Sequence, residues 1–208
     1  MIHRLFYQYI TKLFLNLHNL SYRIASACAT KFEGGLHPKH RIMQYHKFFV
    51  DNVSARDTVL DLGCGNGALS YDVAQSAKTV VGIDLEERNI AIAKLKYNDA
   101  NITYLNGDFL KILPSQKFDV VILSNVLEHI VDRIELLKRL RPMCSKLLVR
   151  IPLIDRDWIT LYKKELRVEY RLDPTHQIEY TLAGFLYEIE VAGFYCKNYS
   201  IQFSEIWA

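Results

Sequence analysis

One stretch constrains this chain more than any other: Val59-Leu60-Asp61-Leu62-Gly63-Cys64-Gly65-Asn66-Gly67. A short apolar run carries one acid, three glycines alternate after it, and Ala68–Ala74 takes up a helical pattern. Strand, glycine loop and helix in that order form the geometry that holds a nucleotide-like ligand. Glycine lets the backbone approach a ligand where a Cβ would clash. A helix N-terminus offers unpaired N–H groups to a carboxylate or phosphate.

The spacing Gly63, Gly65, Ala68 also satisfies the relaxed dinucleotide fingerprint, so an NAD-dependent oxidoreductase is a rival reading. Asp61 argues against it. A carboxylate two residues before the first glycine would repel a pyrophosphate, and it suits a ligand with a positive amino group nearby. S-adenosylmethionine (SAM) has such a group, beside a carboxylate for the helix N-terminus to hold. SAM is therefore the expected cofactor.

With 208 residues the chain is long enough for one domain with a substantial core. A net charge of +3 and a sequence pI near 8.6 are too mild to point to nucleic acid. Cys28, Cys64, Cys144 and Cys196 form no C-x-x-C pair, which reads as reduced thiols in a cytoplasmic protein without zinc. His37, His40 and His46 have no local acidic partners and read as surface or substrate-facing rather than metal-binding. No apolar run approaches a membrane span, and no secretory cleavage pattern is present.

Residues 1–31 read as one or two amphipathic helices. Ile2, Leu5, Phe6, Tyr9, Leu13, Leu17, Leu20 and Ile24 share a face, and no acid precedes Glu33. That pattern fits a lid on the domain, a homodimer contact, or a basic helix on an anionic membrane surface; a mitochondrial targeting segment is a further alternative. Gly34-Gly35 and Pro38 break the pattern, and Ile42, Tyr45, Phe48 and Phe49 then suggest a helix ending near Asp51-Asn52. Strands are expected at Thr58–Leu62, Thr79–Ile83, Ile102–Leu105, Phe118–Leu123 and Leu147–Ile151, alternating with helices. Asp132 and Glu135 predict a capping box before a helix that buries Ile134, Leu137 and Leu140 or their neighbours. Thr181 predicts the cap of a helix ending before Gly193, and Tyr195–Ala208 a long strand or a hairpin bent near Gln202–Ser204. Strands alternating with helices predict a parallel sheet covered on both faces, with ligands at the carboxyl ends of its strands.

In this order and spacing, the Asp61–Gly67 loop, Asp84, Asp108-Phe109 and Phe118-Asp119-Val120-Val121 resemble the class I SAM-dependent methyltransferases. The branch most similar is the small-molecule one that includes ubiquinone and menaquinone biosynthesis enzymes. The resemblance covers roughly residues 53–208 and implies a Rossmann-like, doubly wound, mostly parallel seven-stranded sheet with helices on both faces, the SAM-binding domain. Residues 1–52 lie outside it and read as an N-terminal helical extension or lid, and the charge-crowded stretch 152–180, where the alternation of strands and helices lapses, reads as a substrate-side insertion. The resemblance also implies roles. Gly63, Cys64, Gly65, Asn66 and Gly67 wrap the methionine part, and Asp61 accepts from its amino group. Asp84 takes the ribose hydroxyls, with Leu85 or Phe109 against the adenine and Asp108 accepting from the adenine amino group. Ser124 and Asn125 line the path to the acceptor.

Methyl transfer is an in-line displacement in which orientation does most of the work. A general base is needed only where the acceptor must lose a proton early. His129, after the fourth strand, and His176, in Asp173-Pro174-Thr175-His176-Gln177, are the candidates; each is also readable as a structural hydrogen-bonder. His176, Glu179 and Tyr180 loosely resemble an acceptor-site stretch. The expected acceptor is a small molecule. RNA or protein methylation and a non-catalytic SAM-binding partner subunit are the alternatives. Against nucleic-acid methylation, Ser124-Asn125-Val126-Leu127 lacks the prolines of base-amine methyltransferases, and no Lys/Arg stripe interleaves with aromatics.

Overall fold

The structure, a computed structural model, describes residues 2–208. Met1 and the side chain of Ile2 lie outside the described residues, so that end of the predicted apolar stripe is not placed. In chain order the elements are α1 (Ile2–Phe32), α2 (Lys39–Met43), α3 (Tyr45–Asp51), β1 (Thr58–Leu62), α4 (Ala68–Ala74), β2 (Thr79–Asp84), α5 (Glu87–Lys96) and β3 (Ile102–Asn106). Then come α6 (Phe109–Ile112), β4 (Phe118–Ser124), α7 (Arg133–Leu140), β5 (Cys144–Pro152), α8 (Trp158–Glu165), α9 (Leu182–Val191), β6 (Ser200–Gln202) and β7 (Glu205–Trp207). The chain forms two compact units: residues 2–44 with 154–176, and residues 45–153 with 177–208.

The second unit holds one seven-stranded sheet in the order β3-β2-β1-β4-β5-β7-β6. The first five strands are parallel, and the β6–β7 hairpin closes the edge antiparallel to β5. This is the doubly wound class I methyltransferase topology. Alternation along β1 shows how the sequence builds it. Leu60 and Leu62 enter the large apolar cluster that Leu136, Leu137 and Leu140 of α7 and Phe185 and Ile189 of α9 complete. Each such fully buried side chain contributes roughly 1.5–3 kcal/mol. Asp61, between them, points to the opposite face and receives Ser70 of α4. On that face α4 and α5 pack against β2 and β3.

Several boundaries follow local chemistry. The helix expected from Ile42 to near Asp51-Asn52 ends at Asp51 but is split in two at Gln44, which takes a left-handed φ of 47°. The second piece, α3, joins the sheet unit, where His46 Nδ1 lies 2.6 Å from Asp72 Oδ2 of α4. The capping box at α7 does not form: Asp132 precedes the helix with no side-chain cap bond. Arg133 instead pairs with Glu188 of α9, Nε donating to both carboxylate oxygens at 2.8 Å. Thr181 does cap α9, its Oγ1 accepting from Gly184 N at 3.1 Å, and Gly193 ends the turn at φ 82°. Residues 195–208 form the hairpin, not one long strand, turning at Phe203 and Ser204 with φ of 52° and 60°.

In the first unit, α1 is a single helix rather than two. Its packed face is polar: Asn19 Nδ2 donates to Glu169 O at 2.8 Å, and Lys163 Nζ of α8 donates to Asn19 Oδ1 at 2.6 Å. Ser26 Oγ bonds His37 Nε2 at 3.0 Å on the same side, and Leu15 is buried. Burial, and then Lys39, hold the His37 imidazole below its ordinary pKa. Among the described residues no helix is long and apolar enough to cross a membrane.

Candidate cofactor site

The parallel register brings the carboxyl ends of β1, β2 and β4 together at one edge of the sheet unit. β1 places Asp61 opposite Gly82 of β2 and Ile122 of β4. Asp61 is 1 % exposed, and Ser70 Oγ donates to its Oδ2 at 2.6 Å. Burial is the main cause that drives its carboxyl up to about 7; the Ser70 hydroxyl pulls the other way, and the nearby Asp84 charge adds to the rise. Two carboxylates thus share a desolvated corner. A positive group placed there would relieve both, and a pyrophosphate would worsen both.

The loop after β1 is pinned to β2. Gly63 and Cys64 donate to Ile83 O at 2.8 and 3.0 Å, and Gly65 N donates to Asp84 Oδ2 at 2.8 Å. Gly65 sits at φ 54°, and a Cβ there would meet nothing within 4 Å, so the loop opens onto unfilled space. Gly67 is different. At φ 83° its missing Cβ would lie 2.7 Å from Ala93 Cβ and from the Tyr104 hydroxyl, so it serves packing against α5 and β3. Asn66 Oδ1 accepts from Ala68 N at 3.2 Å. Cys64 is buried among Ile90, Ala93 and Tyr104, and burial holds its thiol far above the ordinary value. Its side chain therefore packs, and only its backbone remains on the loop.

Asp84 does more than its place at a strand end implies. Its Oδ1 accepts from Glu86 N at 3.0 Å and Asn89 Nδ2 at 3.1 Å, in addition to the Gly65 bond on Oδ2. A carboxylate has about four acceptor sites, so about one remains for a ligand. Leu85, next in the chain, is an exposed apolar side chain at the same edge. Asp108 is the N-cap of α6, its Oδ1 accepting from Leu110 N at 3.0 Å, with Lys111 Nζ 3.4 Å from Oδ2. Phe109 is half-buried against the main core. After β4, Ser124 is half-buried, and Asn125 holds a left-handed φ of 56° while its N donates to Arg150 O. The Asn125 Oδ1 is buried with no hydrogen-bond partner among the described residues. An unsatisfied acceptor of this kind is costly unless a donor arrives.

The two histidines are not equivalent. His129 ends a short 3-10 turn, Leu127–His129, directly after β4 in the sheet unit. His176 is a buried residue of the other unit. Tyr180 is a core residue whose hydroxyl donates to Glu188 Oε2 at 2.7 Å, in the network that Arg133 completes.

Three site residues escaped the sequence reading. Ser70 and Asn89 fix the two acids, and each is an ordinary polar residue of a helix with no motif to mark it. Tyr45 lies close enough for Asp61 to act on its hydroxyl; burial first, then the Arg150, Glu205 and Asp61 charges, leave that hydroxyl at about 12. The Arg150 guanidinium stacks 3.8 Å from the Tyr45 ring centre, and Nη2 bonds Glu205 Oε1 at 2.8 Å. A cavity of about 740 Å³ lies elsewhere, at the amino-terminal half of β5, lined by Phe48, Lys146, Phe194 and Trp207 among others. It is at the wrong end of the strands for the loop to reach.

Comparison with known proteins gives the following. Residues 60–146 match the methyltransferase domain family. The ubiquinone biosynthesis O-methyltransferase of Bradyrhizobium diazoefficiens is 29% identical over 157 residues, covering 67% of this chain and 62% of that protein. The chain thus spans under two thirds of that relative's length. A methyltransferase structure from Bacillus halodurans superposes with a TM-score of 0.63 at 18% identity, covering 74% of this chain and 71% of that one. Magnesium protoporphyrin IX methyltransferase from Synechocystis, solved with bound S-adenosylhomocysteine, superposes at 0.60 with 20% identity, covering 81% and 82%.

Proposed function

We propose, from the methyltransferase domain that residues 60–146 form, that the chain transfers a methyl group from SAM to a small-molecule acceptor. The observation that carries this reading is the buried Asp61–Asp84 corner beside a loop that opens at Gly65. Bound there, SAM supplies an electrophilic methyl on a sulfonium. The residues present fit that group. Asp61 accepts from the amino end, held by Ser70. Asp84 uses its remaining acceptor site for a ribose hydroxyl. Leu85 and Phe109 flank the adenine, and Asp108 receives its amino group at Oδ2, the oxygen that does not cap α6 and that otherwise faces Lys111. Asn125 Oδ1 gains a donor from the ligand.

Catalysis then rests on positioning. Ser124 and Asn125 guide the approach to the methyl, and Tyr45 closes the side toward Asp61. The O-methyltransferase relative favours an oxygen nucleophile as acceptor. His129, next after β4, is the base for a hydroxyl that must lose its proton.

Thermal-shift titration with SAM, S-adenosylhomocysteine and NAD tests the reading. Stabilisation by the first two is expected, about 2.7 kcal/mol at a hundredfold excess over Kd. Stabilisation by NAD alone would replace it with the oxidoreductase.

A further inference from the structure

We propose that α1 rests on an anionic membrane surface through its outward apolar face. Within its own unit this helix packs in reverse. An amphipathic helix ordinarily turns its apolar stripe toward the residues it packs on. Here the inward contacts are made by Asn19, Ser26 and their polar partners. The stripe from Leu5 to Ile24 faces solvent instead: Leu5, Tyr9, Leu13, Leu17, Leu20 and Ile24 are all between 44 and 69 % exposed. It runs about 28 Å along the helix. Phe6 lies within it and is exposed too, while Tyr7, Phe14 and Tyr22 are exposed elsewhere around the helix. Amphipathic rings of this kind favour the headgroup boundary of a bilayer.

Charge chooses the occupant. From Ile2 to Phe32 the helix carries Arg4, Lys12, Arg23 and Lys31 and no acid. A second copy docked stripe to stripe would set Lys12 and Arg23, which border the stripe, against their own kind, with no carboxylate on either helix to pair them. An anionic lipid surface offers the opposite charge to the cations and an acyl boundary to the stripe. The helix is too short of apolar length to span, so the fit is a helix lying in the interface plane. Nothing in this inference depends on the identity of the methyl donor.

The test is cosedimentation of the full chain with vesicles of phosphatidylcholine alone or with about 30 mol% phosphatidylglycerol. Binding to the anionic vesicles, weak binding to the neutral ones and loss with added salt are expected. Leu13→Glu/Leu17→Glu/Leu20→Glu should weaken binding at least tenfold without moving the thermal midpoint, since those side chains are exposed. Lys12→Glu/Arg23→Glu should weaken it roughly fivefold or more per cation on anionic vesicles only. No binding to either vesicle, or equal binding by the triple variant, overturns the proposal. So does a dimer in sedimentation velocity that the triple variant dissolves, which would give the face to a second copy. SAM stabilisation of the triple variant should match that of the parent; its absence from both proteins would sink the methyltransferase reading and leave this one standing.

Discussion

Asp61 sets stability against binding. In the unfolded chain its carboxyl ionises near 3.8, in the folded one near 7. Between those values the folded chain keeps a proton that the unfolded chain has released. Stability therefore falls as pH rises through that window and stays low above it. Asp61→Asn removes the titration. In urea melts at pH 5 and pH 8, the ligand-free variant should gain on the parent at the higher pH, on the order of a few kcal/mol. The same variant should bind SAM more weakly by about 1.5–3 kcal/mol, read by calorimetry. Equal affinity would remove Asp61 from the site. The glycines make a second pair. Gly65→Ala meets open space but carries a Cβ into the ligand's place at a left-handed φ, so SAM binding should suffer more than stability. Gly67→Ala runs into Ala93 and Tyr104, so thermal stability should drop by about 1–3 kcal/mol before any effect on the ligand. The opposite ranking would exchange their roles.

Among the helices, α7 and α9 share a sequence signal and differ in how they use it. Thr181 accepts a bond from Gly184 N, so Thr181→Ala should cost about 1 kcal/mol in a denaturant melt. Asp132→Ala should cost little, because its side chain makes no cap bond. A large loss at Asp132 would restore the capping box. The capping sequence was legible at both helices. At α7 the Arg133–Glu188 pair takes the entry to the helix, and that pairing joins residues too far apart in the chain for any local pattern to reveal. Ser70 and Asn89 are hidden for another reason. They stand only nine and five residues from Asp61 and Asp84, yet nothing in the sequence marks which polar residue of α4 or α5 turns back to the strand before it.

At the scale of the whole molecule, two places compete for the ligand: the loop edge of the sheet, open beside Gly65, and the cavity at the start of β5. Hydrogen exchange with and without SAM should separate them. Residues 63–67, 84–86 and 108–110 should slow on binding, and residues 145–148 and 195–198 should not. Protection confined to the second set would move the site to the β5 cavity. Burial of charge also acts at this scale. Arg150 and Glu205 are buried as a pair that ties β5 to the terminal hairpin. Arg150→Met strands the carboxylate, and the folded chain should lose about 3–5 kcal/mol, read as a lower thermal midpoint.

The order of the strands and of most helices, the loop and the acids at the strand ends could be read from the sequence alone; α6 and α8 could not. Those features depend on local periodicity, on glycine's freedom of backbone and on chain-neighbour spacing, all of which survive in one dimension. Which face of α1 turns inward could not be read that way. Periodicity marks an apolar stripe without saying what covers it, and only packing shows that polar residues hold the helix while the stripe stays bare. Nor could the sequence show how much of Asp84 is left for a ligand. Three of its acceptor sites are filled by groups that the folded sheet and its turns bring within reach, and that count exists only in three dimensions.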